Sequence, residues 1–558
     1  MFAADFTPVM SRDDVRELDR ATIESGTASL ELMERAGACI VESLQRRRNE
    51  LLGRACRQQP RVLIVAGSGN NGGDGYVLAR LLRIAGWMPQ IAHVGRDPKD
   101  EGDCAVNRER WLAEGGRILD AGATRELLAP GGAREVDLIV DALFGTGLDR
   151  DLDGDAAATV EAVNRYAAHN AIAVVAVDVP SGLCADTGEV LGCAVRARLT
   201  VTLGAAKPGL FVGSGPDFSG RVDVADIGLL DPGKAGLEPL GQVIDAHTCA
   251  AWLEPRPATT HKGQLGHVLI LGGSQGKTGA PLLAARGALR AGAGLVTVGV
   301  PATLAAQTDA ALAEAMTFAL PDNGRGALAE NAWRNLAEPL RAFDAIAVGP
   351  GLGTDLAVRD FVIELVRNYP GRLVVDADAL NVLADCRLNL GVMFTKRRRS
   401  GHGATILTPH PGEAARILAI DAGAVQADRL RAAEELSFDG PATWVLKGAA
   451  TIVTQRGRFA FNGSGNAGMA SAGMGDVLAG VCAAVTARVE NPFRAAAIAV
   501  HVHGAAGDLM AGRLGGPGFL SSEVADTIPQ AFAAVAAARP PYEQPAPQPR
   551  LQTGDERR

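Results

Sequence analysis

Short apolar runs, each closed by a glycine- or asparagine-rich turn and followed by a stretch with helical spacing, recur along most of this chain. The clearest is RVLIVAGSGNNGGDG at 61–75, followed by YVLARLLRIAG. That order predicts a strand, a tight turn and a helix. Further strands are predicted at 62–66, 90–94, 138–142, 172–177 and 199–203, separated by helical patterns and preceded by two amphipathic helices in the first forty-odd residues. Strand–helix alternation of this kind implies a parallel sheet covered on both faces, with sites at the carboxyl ends of the strands.

Between 225 and 262 the pattern dissolves into DIGLLDPGKAGLEPL and EPRPATTHKG, so a domain joint is placed there. From 266 the alternation resumes with HVLILGG, GLVTVGV, AIAVGPG, RLVVDAD, ATILTPH, TWVLKG and ATIVT, then two long helical patterns. The stretch MFTKRRRSGHGA at 393–404 reads as a solvated basic loop. A proline-rich polar tail from 539 to 558 is expected to be disordered.

At 558 residues the chain exceeds one core, and two or three domains are expected. With 21% charged and only 4% aromatic residues it suits a compact α/β enzyme; the net charge of −8 argues against a nucleic-acid surface. No signal peptide or membrane-spanning stretch is evident, so a cytoplasmic protein is expected. Eight scattered cysteines without a CxxC pair read as small buried hydrophobes.

Gly67, Gly69 and Gly72 match a G-x-G-x-x-G spacing after a strand, the mark of a dinucleotide fold. The acidic ribose partner about twenty residues on is not evident, because the next strand runs into His93-Val94-Gly95-Arg96. More informative is the set NNGGDG at 70–75, DALFGTGLDRD at 141–151 and VDVPSGL at 177–183. Each follows an apolar run, so the three loops converge on one sheet edge. Asn71, Asp141 and Ser181 are hard oxygen donors, and the glycines supply backbone N–H groups. That mixture suits a cation beside a phosphate. The plainer reading is that Asp141 and Asp178 cap helices and the glycines only form turns.

These three loops, with GAAKPGL at 204–210, resemble the NAD(P)HX epimerase domain. The resemblance implies a Rossmann-like three-layer sandwich over residues 1–235. It assigns a K+ site to Asn71, Asp141 and Ser181. It assigns the hydrated nucleotide to Asn70, Asn71, Gly72, Gly73 and Asp74, to Gly145, Thr146, Gly147, Leu148, Asp149, Arg150 and Asp151, and to Asp178. Asp178 is then the catalytic carboxylate, its pKa open to a rise by desolvation at the strand end, with Lys207 as a possible partner.

In the second half, NGSGNAGMASAGMGDVLAG at 462–480 puts Gly473, Met474 and Gly475 before a long helix and Asp476 immediately after them. Slim backbone at a helix N-terminus can hold a transferring phosphoryl group, and the aspartate can take a proton from a substrate hydroxyl. This is not a Walker loop, since no GKS or GKT sits eight residues along a phosphate loop. With VGPGLG at 348–353, VVDADALN at 374–381, TPHPGE at 408–413 and KGAAT at 447–451, the segment resembles the ADP-dependent NAD(P)HX dehydratase family. The resemblance implies a ribokinase-like three-layer sandwich over 236–538. It assigns Ala280, Gly353 and His410 to the hydrated nucleotide. Lys447, Gly448, Ala449, Ala450, Thr451 and Gly475 go to the AMP part of ADP, and Asp476 to the substrate side and to catalysis. Lys447 also reads as a surface lysine, and His410 as a turn stabiliser. His501 and His503 read as packing or surface residues.

The combined expectation is a two-domain α/β enzyme that repairs hydrated NADH and NADPH (NADHX and NADPHX) with K+, Mg²⁺ and ADP, as a homo-oligomer (tetramer). Rival readings are a vitamin or sugar kinase with a nucleotide-binding first module, a non-catalytic first domain, and a Rossmann-type oxidoreductase.

Overall fold

The structure is a computed structural model describing residues 6–53, 56–95, 102–129, 131, 133–330, 332–386 and 389–539. The expected tail therefore lies outside the described residues except for Arg539, whose guanidinium donates to the carbonyls of Ala250 and Leu253.

Two sheets organise the chain. The first has seven strands in the order Ile118–Leu119, Met88–His93, Arg61–Ala66, Leu138–Ala142, Ala173–Val177, Leu199–Leu203, Arg221–Ala225, all parallel. The β-branched runs LIVDA and AVVAV are wholly buried, as strands covered on both faces require. Strand order reverses between Arg61–Ala66 and Leu138–Ala142. The loops that follow these two strands, NNGGDG and FGTGLDRD, flank the crevice at that switch point.

The second sheet has eleven strands and is mixed. Its parallel part, from Thr443–Leu446 through Thr405–Leu407, Arg372–Val375, Ala345–Val348, His267–Leu271 and Leu295–Pro301 to Met316–Leu320, reverses between Ala345–Val348 and His267–Leu271. An antiparallel meander continues it through Ile452–Gln455 and Arg458–Asn462. Arg456 and Gly457 both have positive φ (51° and 73°), the pair that a type I′ hairpin turn requires. Apolar helices Gly279–Arg290, Met474–Thr486, Pro492–Leu514 and Ser521–Ala537 pack on one face. Leu356–Asn368, Ala377–Asp385 and Leu390–Arg399 pack on the other.

Two expectations are corrected. The stretch 225–262 holds a strand, Gly241–Ile244, and a helix, Ala246–Trp252, of the second sheet. That strand pairs in parallel with Arg458–Asn462 and antiparallel with Pro8–Val9. The N-terminal residues are thus stitched to the second sheet, and Val9 also bridges to Ala206 of the first half. One apolar core accordingly runs across both halves, from Val9, Ala206 and Phe211 to Ile452 and Phe461.

The second correction is the basic stretch, which is helical over Leu390–Arg399. Asn389 caps it by accepting from the Val392 N–H. Its Arg397 is buried, donating to the carbonyls of Val366, Tyr369 and Gly371 and to Thr405 Oγ1. Burial holds its pKa down at about 10. Replacing Arg397 with alanine strands three carbonyls without donors. The expected result is a loss of about 3 kcal/mol of stability, read as a melting midpoint several degrees lower, with Arg397→Lys intermediate.

Candidate functional site

At the first switch point the turn is set by close approach of backbone to backbone. A Cβ on Gly72 would meet the Gly67 carbonyl oxygen at 1.9 Å, and one on Gly67 the Leu143 carbonyl oxygen at 2.2 Å. Only glycines allow the loops after the two central strands to nest. Asn70–Asp74 then form the first turn of the helix Asn70–Ile84, with Asn71 and Asp74 buried.

Asp178 follows its strand with φ 66°. A non-glycine residue in that region costs about 1–2 kcal/mol and marks a position held by its surroundings. It is not a helix cap. Its N–H donates to the Val201 carbonyl at 2.8 Å. Its Oδ1 accepts from Lys207 Nζ at 2.5 Å, Thr202 Oγ1 at 3.2 Å and the Leu203 N–H at 3.3 Å. Lys207 is 1% exposed and also donates to Thr202 Oγ1 and the Leu203 carbonyl. Beside this pair, burial and the facing carboxyls of Asp178 and Asp19 push Asp74 well above the usual carboxylate range, with Lys207 opposing. Asp74 is thus one carboxyl of this site that desolvation raises.

Asp141 is 2% exposed and has no cationic partner among the described residues; it accepts from the Ser181 hydroxyl at 2.6 Å and from the N–H groups of Ser181 and Leu143. Burial lifts its pKa to about 6 against those hydrogen bonds. The buried Asn71 carboxamide has no hydrogen-bond partner on either atom among the described residues. A Cβ on Gly145 would lie 3.3 Å from Asn71 Oδ1 and 3.1 Å from Asp178 Oδ2, so this glycine joins the two groups. Unpartnered amide oxygen, uncompensated carboxylate and hydroxyl are the donor set a potassium-sized cation takes. Thr146 and Leu148 accept through their carbonyls from Arg16 and Arg12, and Asp149, Arg150 and Asp151 lie on the exposed rim.

The second site is built on the helix Met474–Thr486, whose N-cap Gly473 has φ 86°. A Cβ on Gly475 would stand 3.3 Å from Lys447 Nζ. Lys447 is not a surface lysine. It is held by Asp376 Oδ1 at 2.7 Å, with Glu413 Oε2 at 3.8 Å, and Thr408 donates to the same Asp376 oxygen. Burial raises the pKa of Asp476 to about 6, assisted by Asp376 and Asp378 and opposed by Lys447.

The assigned residues divide into two groups. His410, Lys447 to Thr451 and Gly475 line a cavity of about 590 Å³. Gly353 sits with Asp378, whose Oδ2 accepts from its N–H at 2.9 Å and stands 3.5 Å from Lys277 Nζ; Ala280 lies against Gly351 of the same loop. His410 caps the helix Pro411–Leu418 by accepting at Nδ1 from the Gly412 and Glu413 N–H groups, so its turn-stabilising role is real; burial and Lys447 depress its pKa. His503 is buried, not at the surface, and lines the cavity; burial lowers its pKa to about 4. Sequence reasoning did not single out Asp376, Asp378 or Glu413, although each lies inside a segment it selected.

Two α/β sheets, each with a glycine turn and a buried lysine–carboxylate pair beyond the ends of its parallel strands, define a tandem α/β enzyme with one centre per sheet. Residues 29–209 match the family described as YjeF-related protein N-terminus, and residues 268–530 the family described as NAD(P)H-hydrate dehydratase. The bifunctional NAD(P)H-hydrate repair enzyme Nnr of Moorella thermoacetica is 40% identical over 520 residues, covering 92% of this chain and 95% of its own. That of Escherichia coli is 36% identical, covering 92% of each. A solved ADP/ATP-dependent NAD(P)H-hydrate dehydratase from Bacillus subtilis, co-crystallised with ATP and Mg²⁺, is 28% identical and covers 52% of this chain and 98% of its own, with a TM-score of 0.44. The chain belongs to the bifunctional NAD(P)H-hydrate repair enzyme family.

The nesting of the first loops yields a contrast between neighbouring glycines. Gly72→Ala is expected to lower the melting midpoint of the protein and to abolish ligand binding at the first site. Gly69→Ala, where nothing lies within 4 Å of the added carbon, leaves the midpoint within about a degree, as surface substitutions commonly do.

Proposed function

We propose that the first site interconverts the R and S hydrates of NADH and NADPH and that the second dehydrates the S hydrate at the expense of ADP. Residues 1–235 form the epimerase unit and 236–538 the dehydratase unit. The observation that carries this reading is the meeting of Lys447, Gly475 and a raised Asp476 carboxyl beside a cavity of nucleotide size.

Hydroxide leaves carbon poorly, and a phosphate ester leaves well. In the second site Asp476 takes the proton of the hydrate's hydroxyl, whose oxygen attacks the terminal phosphorus of ADP. The bridging P–O bond breaks and releases AMP. The new C–O–P ester then loses phosphate and a neighbouring ring proton, restoring NADH or NADPH. Lys447 and the amides of the Gly473–Gly475 turn hold the phosphoryl oxygens. Mg²⁺, when bound, would offset phosphate charge there; among the described residues no cluster of three carboxylates, histidines or cysteines is gathered to hold it.

In the first site inversion at the hydrated carbon means loss and return of water. Asp74, whose carboxyl burial makes harder to ionise, would donate, and Asp178, held on Lys207, would accept. Asn71, Asp141 and Ser181 would hold K+, which screens negative charge at the loops. A cytoplasmic, tetrameric enzyme belongs to the same proposal.

Incubating the protein with both hydrates and ADP is expected to regenerate reduced cofactor with AMP and phosphate. A stable phosphorylated product would instead identify a kinase. Because Asp476 must be ionised to act and its pKa is about 6, kcat/KM for dehydration is expected to fall tenfold per pH unit below that value and to stay level above it. Asp476→Asn is expected to lose about 10²–10⁴ in rate above pH 6 and to lose the fall in rate below it.

Potassium has a readout apart from activity. The Asp141 pKa is raised from its unfolded value to about 6, so its folded carboxyl holds its proton longer, and the cost of ionising it grows as pH rises to 6 and is full above. Stabilisation by K+ is therefore expected to be larger at pH 7.5 than at pH 4.5, and to vanish in Asp141→Asn, measured by thermal melting with K+ against choline.

A further inference from the structure

The cavity beside Lys447 is bounded by both halves of the chain. The second domain contributes Lys447 to Thr451 and the turn at Gly475. The first contributes Leu210, Phe211, Pro216, Asp217 and Val222, from the segment that begins at the Lys207 of the other site. This wall is fixed. Leu210 and Phe211 are 1% and 2% exposed and share one apolar core with Ile452 and Phe459. The Phe211 ring lies 5.7 Å from that of Phe461, on the strand that leads into the cavity at Asn462. Gly209 packs this wall tightly on its own domain, where a Cβ would meet the Cys184 carbonyl oxygen at 2.1 Å.

Asp217 is exposed, and no side-chain hydrogen bond or ion pair engages it among the described residues. The cavity thus carries an ammonium from one domain and an unpaired carboxylate from the other. A nucleoside diphosphate has the matching pair of features: phosphate oxygens that accept, and ribose hydroxyls that donate. A carboxylate is acceptor-only, so the hydroxyls are what it can bind.

We propose that residues 210–222 of the first domain form a wall of the second domain's nucleotide site and that Asp217 receives the ribose hydroxyls of the nucleoside diphosphate. This rests on the reading of that cavity as the site of ADP. The epimerase half is then part of the dehydratase's specificity, and nucleotides lacking a 2′,3′-diol are discriminated against by a residue outside the kinase-like domain.

The test is calorimetric titration of the full-length protein with ADP and with 2′,3′-dideoxy-ADP. Wild type is expected to bind the dideoxy nucleotide about tenfold more weakly, the worth of a charge-assisted hydrogen bond. Asp217→Ala is expected to bind ADP at that reduced level and the dideoxy nucleotide as wild type does. Equal loss for both nucleotides, or no loss, overturns the assignment of Asp217. Lys447→Met separates this from the underlying reading. If it weakens ADP while Asp217→Ala does not, the cavity still takes the nucleotide and only the shared wall is wrong. If neither changes ADP binding, the cavity is not the nucleotide site and both ideas fall.

Discussion

A buried lysine pinned to a carboxylate just beyond a parallel strand is the interaction on which both centres depend. Lys207 meets Asp178 at 2.5 Å after the strand Ala173–Val177, and Lys447 meets Asp376 at 2.7 Å after Arg372–Val375. Removing one partner of such a pair costs about 3–5 kcal/mol, because the other is left charged in low dielectric. In each case the ammonium fixes the geometry of a glycine turn or a strained residue beside it: Gly475 in the second site, Asp178 with φ 66° in the first. Lys207 spends its three donors on Asp178, Thr202 and the Leu203 carbonyl, whereas Lys447 also lines the cavity of the second site.

The same burial that makes these pairs strong leaves other carboxyls short of compensation. Asp74, Asp141 and Asp476 are all raised by desolvation, Asp141 and Asp476 to about 6. The protein tolerates them because its apolar cores are large and continuous across the two halves. Burying them in this way costs stability locally.

Much of this was legible in the residues. The strands of the first sheet follow from buried β-branched runs, and the positions of both glycine turns follow from the breakers behind them. What escaped has nonlocal causes. The strand Gly241–Ile244 is four residues long amid proline and glycine and is defined by its neighbours Arg458–Asn462 and Pro8–Val9, hundreds of residues away. The Leu390–Arg399 helix hides behind KRRR because Arg397 is buried by carbonyls contributed from another helix and its loop. Asp376 and Glu413 matter through Lys447, and only the folded sheet brings the three together. The cavity itself spans two domains, so no motif in either one encodes its wall.

The pairing of Pro8–Val9 with Gly241–Ile244 carries a practical meaning for anyone dividing the gene. A fragment beginning after the joint would present a bare strand edge and the apolar face that Phe211 now covers, the combination that invites sheet-to-sheet self-association. Joining the two halves covers that edge and that face within one chain.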